Sequence, residues 1–263
     1  MKLAHRWMAA FVAGFALIAG SAAPAAADKG KSQEALDAAF ANPDRPAADA
    51  AQDERRQSRK VLALLDLKPG MHVIDIFSAS GYNTELLARA VGVKGEVIAY
   101  NNPPYAKFAE KGIAARYAGD RLSNVKQITA ETGDLNLPPA SLDAGLCVMS
   151  YHDLYWRPAD GSWNATSADT LLSKLYTALK PGGVIVVQDH VANPGGDPAE
   201  VVEKLHRIDP ALVRRDFEKA GFVFVDSSKV LAHPTDDHTK LVFDEAIRGK
   251  TDQFVYRFRK PMH

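Results

Sequence analysis

The chain holds a single cysteine, Cys147. That excludes an internal disulfide and any zinc site built on paired cysteines. Neither charge is in surplus, with 32 Lys and Arg against 32 Asp and Glu. Binding a phosphate backbone needs a basic face, so no nucleic-acid partner is expected. No apolar run reaches the roughly 20 residues that span a bilayer as a helix. Beyond the N-terminus there is no internal repeat and no low-complexity stretch. A nucleophile elbow, a phosphate-binding loop and a glycosidase-type carboxylate pair are also missing. What remains is an ordinary globular composition, 46% hydrophobic and 24% charged over 263 residues, enough for one large core.

Residues 1–27 read as an export signal. Lys2 and Arg6 form a positive head, an apolar run follows from Met8 to Gly20, and Ala25-Ala26-Ala27 is a small-residue cleavage signature before Asp28. The expected product is exported by a Sec-type route, periplasmic and without a stable membrane anchor. Cleavage removes two bases and no acid, so it turns the chain slightly acidic.

Residues 28–47 are rich in Ala, Asp and Pro, show no strand pattern, and read as an N-terminal extension of a short helix plus a linker. The main domain is expected over 48–263, opening with one helix over 48–66 that the Lys68-Pro69-Gly70 turn stops. Apolar runs at 72–77, 96–100, 125–129, 144–150 and 184–188 then read as buried parallel strands. Helical patterns lie between several of them, notably at 84–91 and 168–179. Late runs at 221–225 and 254–258 are expected to pair antiparallel. The alternation predicts an α/β, doubly wound, mainly parallel sheet with a C-terminal antiparallel strand pair.

After the first strand comes Asp75-Ile76-Phe77-Ser78-Ala79-Ser80-Gly81-Tyr82-Asn83-Thr84, running into a helix. Small residues in such a turn admit a ligand close to the backbone, and the helix N-terminus supplies free N–H donors. This segment resembles the first motif of the class I S-adenosylmethionine (SAM)-dependent methyltransferases. There an acid is followed by glycines at alternate positions, which fall here at Phe77, Ala79 and Gly81. The turn at Leu179-Lys180-Pro181-Gly182-Gly183 is similar to the approach to that superfamily's fifth strand. Glu218-Lys219-Ala220-Gly221-Phe222 is similar to the entry into its final strand pair. The Tyr151-His152-Asp153-Leu154-Tyr155-Trp156 segment and the Lys250-Thr251-Asp252-Gln253-Phe254 tail resemble a bacterial family of exported methyltransferases of unassigned substrate. The resemblance implies a Rossmann-like seven-stranded fold and SAM as cofactor. It also implies transfer of a methyl group to an acceptor, expected to be a small molecule. Asp75, Phe77, Ser78, Ala79, Ser80 and Gly81 would form the cofactor turn, with Asn101 and Asp134 assisting. The superfamily's carboxylate at the end of strand two is replaced here by Asn101-Asn102-Pro103-Pro104-Tyr105. That run also matches an amino-methyltransferase motif, but it stands after strand two instead of strand four.

Strand four should end at Tyr151-His152-Asp153 and strand five at Asp189-His190, so the two dipeptides converge on one cleft. His152, Asp153 and His190 are the candidate catalytic residues: a histidine there can take a proton as a methyl group arrives, with Asp153 orienting it. The same histidines could instead cap strands. With Asp236-Asp237-His238 they could also offer metal ligands, although no metal motif is present and none is assigned. Tyr151, Tyr155 and Trp156 are candidate substrate contacts, with Trp163 beside them. A binding module that keeps the fold without the reaction stands as the alternative function.

Overall fold

A computed structural model describes residues 23–163 and 167–262, with side chains from residue 30 onward. Its strands form one seven-stranded sheet in the order β3-β2-β1-β4-β5-β7-β6. β1 (His72–Ile76), β2 (Glu96–Asn101), β3 (Val125–Thr129), β4 (Leu142–Val148) and β5 (Leu179–His190) run parallel. β7 (Gln253–Arg259) lies antiparallel between β5 and β6 (Val223–Ser228). This is the sheet that the alternating pattern predicts, antiparallel pair included.

Side chains alternate between the two faces of each strand. On one face Ile74, Ile76, Tyr100, Cys147 and Val187 pack against α8 (Ala168–Ala178) and α10 (Pro210–Lys219) through Leu172, Leu175, Val213 and Phe217. On the other, Val73, Val97, Leu146 and Val186 meet Leu62, Leu86 and Leu87. Neighbours diverge at β1, with β2 on one side and β4 on the other. Doubly wound sheets bind ligands at the carboxyl ends of the strands beside such a switch point.

Three local expectations give way to the structure. The helix read over 48–66 is broken into α2 (Ala47–Ala50), α3 (Asp53–Arg56) and α4 (Ser58–Ala63). Gln57 turns left-handed between the last two, at φ 48°. Hydrogen bonds to distant groups favour the break. Asp53 accepts both guanidinium nitrogens of Arg45 and the hydroxyl of Tyr82, and Ser58 meets the same hydroxyl at 2.7 Å. The short helix expected ahead of the linker is a long one: α1 (Ala23–Phe40) places Leu36 and Ala39 in the core. The turn at Lys180-Pro181-Gly182-Gly183 lies inside β5, where the register against β4 shifts between Leu142 and Ala144. Gly182 carries the bend at φ 81°. Most of the expected export signal lies outside the described residues.

Candidate functional site

The turn between β1 and α5 (Tyr82–Val91) is left-handed at alternate residues: Phe77 at φ 53°, Ala79 at 47° and Gly81 at 80°. These are the three positions that the motif aligns with glycine. A side chain in this region costs on the order of 1–2 kcal/mol per residue, so two strained residues hold a backbone course that glycine would adopt freely. Ser78 N–H donates to the Tyr100 carbonyl and Gly81 N–H to the Ser78 carbonyl. A Cβ on Gly81 would stand 2.6 Å from the Tyr117 hydroxyl, so a side chain there would displace Tyr117 as well as strain the backbone. Asp75 is buried at the base of the turn and accepts from the Thr84 hydroxyl at 2.6 Å. Burial pushes its carboxyl up to about 7, against the pull of the Thr84 hydrogen bonds.

Asn101 turns toward this loop. Its Oδ1 accepts from Ala79 N–H at 2.9 Å, and its Nδ2 donates to Ser78 Oγ and the Ala79 carbonyl. The strand-two asparagine thus braces the turn in the present conformation. Asn102 caps α6 (Pro103–Phe108) by accepting from Tyr105 N–H. α7 (Glu110–Arg116) closes over the outside of the turn. Arg116 donates to the Ser80 carbonyl, and a Cβ on Gly112 would come within 2.5 Å of Ser80 Cβ. Asp134 lies exposed in a single helical turn after β3.

The cleft at the ends of β4 and β5 brings His152 and His190 together, with ring centroids 6.3 Å apart. Their environments differ. His152 has Nδ1 2.8 Å from Asp189 and Nε2 3.5 Å from Asp153, and its own N–H also donates to Asp189. Burial disfavours its charge, but the two carboxylates outweigh burial and raise it to about 9. The ring is therefore an imidazolium at neutral pH. Asp189, fully buried, is held below the usual carboxylate range by His152 despite its burial. His190 is lowered to about 4, chiefly by burial, and stays neutral. Thr251 Oγ1 accepts from Gln253 at 3.3 Å and lies 2.8 Å from His190 Nδ1. With the Thr251 hydroxyl donating to Nδ1, the ring proton of His190 sits on Nε2. Neither histidine is a ready proton acceptor at neutral pH. One is a fixed cation and the other a hydrogen-bond donor.

Beside them opens a cavity of about 730 Å³, lined by Tyr105, Met149, Trp156, Trp163, His206 and Phe243 along with both histidines and Asp153. Its rings form a chain. Tyr105 touches Trp163 at 5.3 Å, Trp163 touches Trp156 at 5.3 Å, Trp156 touches His206 at 5.6 Å and His206 touches Phe243 at 5.2 Å. Tyr105 also stacks on Phe77 of the β1 turn, 5.2 Å away, and donates its hydroxyl to Asp153 at 2.5 Å. It is the wall that turn and cavity share, spanning the switch point between β1 and β4.

Of the expected substrate contacts, Trp156 lines the cavity. Tyr151 and Tyr155 point the other way, and both donate to Asp216 on α10, which anchors the 151–155 segment to that helix. Asp236 is taken up by Arg207, and His238 by Asp252 and Asn193. No group of three or more His, Cys, Asp or Glu is arranged to hold a metal among the described residues. Sequence reading passed over Tyr105, His206 and Phe243. Tyr105 stood inside a run quoted for another reason, while the other two carry no local pattern and reach the cavity only through tertiary folding.

A family model for protein-L-isoaspartate(D-aspartate) O-methyltransferase matches residues 50–129. The protein-L-isoaspartate O-methyltransferase of Pyrococcus horikoshii is 30% identical over 128 residues, covering 48% of each chain. A ubiquinone/menaquinone biosynthesis C-methyltransferase of Legionella pneumophila is 29% identical over 134 residues, 49% of this chain and 46% of that one. The chain thus spans about half the length of the relatives it matches. A SAM-dependent methyltransferase from Aquifex aeolicus superposes with a TM-score of 0.55 at 21% identity, over 84% of this chain and 96% of the other.

Proposed function

We propose that this chain, which takes the fold of the class I SAM-dependent methyltransferase superfamily, transfers a methyl group from SAM to a small acceptor bound in the aromatic cavity. The observation that carries the reading is the β1 turn. Its backbone is left-handed at 77, 79 and 81 although only the last is glycine. Strained non-glycine backbone of this kind clusters at ligand-binding sites. The course of this turn into the N-terminus of α5 fits a cofactor gripped largely by backbone. Asp75, Phe77, Ser78, Ala79, Ser80 and Gly81 would hold it, with Asn101 bracing the loop and Asp134 at the margin. Bound there, SAM supplies an electrophilic methyl group.

The chain's own groups then position the acceptor, which is the main lever when no strong base is at hand. Asp189 fixes the His152 imidazolium, Asp153 and His190 Nε2–H remain as polar anchors, and the rings wall the acceptor's site. In this reading the protein works in the exported compartment that its N-terminus implies. One observation favours a binding module instead: Tyr105 packs on Phe77 while α7 covers Ser80, so the turn is enclosed on two sides.

Incubating the purified protein with methyl-labelled SAM and fractionated cell extract tests the assignment. Label is expected in the low-molecular-mass fraction, and reduced when His190→Phe removes the donor. Label in protein or RNA fractions would contradict a small acceptor. No transfer to any fraction would favour the binding module.

A further inference from the structure

Charge and shape together narrow what the cavity takes. At its floor, one imidazolium, His152, stands between two carboxylates, Asp189 and Asp153. His190 and His206, which pack against His152, are both lowered toward the neutral form, chiefly by burial. Two ion pairs nearby cancel internally. Arg207 is paired with Asp236, and Lys107 at the mouth with Glu110. At the rim, Glu203 accepts from Trp156 Nε1, while Arg157 donates to the carbonyls of Leu154 and Trp156. One negative charge is left over at the floor. Asp189 is fully buried behind His152, so the carboxylate facing the cavity is Asp153. Tyr105 donates its hydroxyl to Asp153, and Trp163, Trp156 and Phe243 line the same cavity. A carboxylate in a cavity walled by aromatic rings attracts an organic cation, by its charge and by the ring faces the cation meets.

We propose that the cavity binds an alkylammonium ion, held by Asp153 and the faces of Tyr105, Trp156, Trp163 and Phe243. As the methyl acceptor, an identification that rests on the function proposed above, such a ligand is an amine. Bound as its ammonium, it must release a proton to water before its nitrogen lone pair can accept a methyl group. The methylated product keeps the positive charge that the cage holds.

The test uses (2-hydroxyethyl)trimethylammonium and its neutral carbon isostere, 3,3-dimethylbutan-1-ol, titrated into the purified full-length protein. Fluorescence serves as the readout, because two of the three tryptophans, Trp156 and Trp163, line the cavity and the third, Trp7, lies in the expected export signal. The cation is expected to quench saturably and to bind at least about tenfold tighter than the isostere, as desolvated cation–π contacts allow. Asp153→Asn should remove most of that preference while leaving isostere affinity unchanged. Trp163→Leu, which keeps the wall apolar, should weaken the cation severalfold and spare the isostere, and it stands in should Asp153→Asn fail to fold. Equal affinity for both probes, tighter binding of phenolate, an unaltered preference in the variants, or no saturable quenching would each overturn the inference. S-Adenosylhomocysteine binding measured on the same samples separates the two claims. Its presence without cation binding sinks only the cage, and its absence with cation binding sinks only the methyltransferase reading.

Discussion

Asp75 illustrates how single residues at this site trade stability for position. The carboxyl is buried with the Thr84 hydroxyl as its partner, and burial raises it from the usual carboxylate range to about 7. A group raised in the folded state supports folding fully below its unfolded value and loses that support as pH rises through the folded value. The ionised form therefore costs the fold on the order of a few kcal/mol above neutrality. Asp75→Asn keeps an acceptor for Thr84 and removes that cost. Its thermal midpoint is expected to exceed that of the unaltered protein at pH 8, with the gap closing toward pH 4. A lower midpoint at pH 8 would contradict the account. His152 has the same sign by a different cause: its carboxylate partners stabilise the fold below about pH 6.5, and that contribution fades as pH passes about 9. None of this was legible in the sequence, which shows two His-Asp neighbours. It cannot show that Asp189, and not the adjacent Asp153, makes the 2.8 Å contact.

Among elements, the segment between β6 and β7 matters most. It brings Phe243 and Thr251 to the cleft without regular secondary structure of its own. Arg207 holds it in place. Its guanidinium is fully buried, makes two bonds to Asp236, and donates to the carbonyls of Val191 and Lys240. Asp236 in turn accepts the N–H groups of His238 and Asp252. Removing one partner of such a pair strands the other, at a cost of about 3–5 kcal/mol. Arg207→Ala is expected to lower stability to urea by that order and to weaken ligand quenching of Trp156 and Trp163, since the wall carrying Phe243 loosens. Unchanged stability would show that the segment is held by something else. Sequence patterning located β1, β2, β4 and β5 because their buried parallel runs are apolar; β3, expected to be buried, lies at the sheet edge with its residues half-buried or exposed. The break at Gln57 and the length of β5 escaped it, since both follow from contacts with distant residues such as Tyr82 and Lys260.

At the scale of the whole molecule, the sheet order places the candidate site. β1 and β4 pair side by side while their connections lead to opposite sides, so the turn after β1 and the His152 segment after β4 open onto the same crevice, with Tyr105 of α6 between them. The order of motifs foretold this architecture, whereas the expected boundary near residue 47 did not foretell that Leu36 and Ala39 of α1 pack in the same core as Leu62 and Leu86. The central claim is that the strained β1 turn is a cofactor site. Calorimetric titration of the purified chain with S-adenosylhomocysteine tests it most directly, with Gly81→Val alongside because its side chain would meet the Tyr117 hydroxyl from a left-handed backbone. The account expects saturable binding to the unaltered protein and none to the folded variant. A folded protein that takes up no S-adenosylhomocysteine at millimolar concentration, or a variant that binds it equally well, would contradict the account.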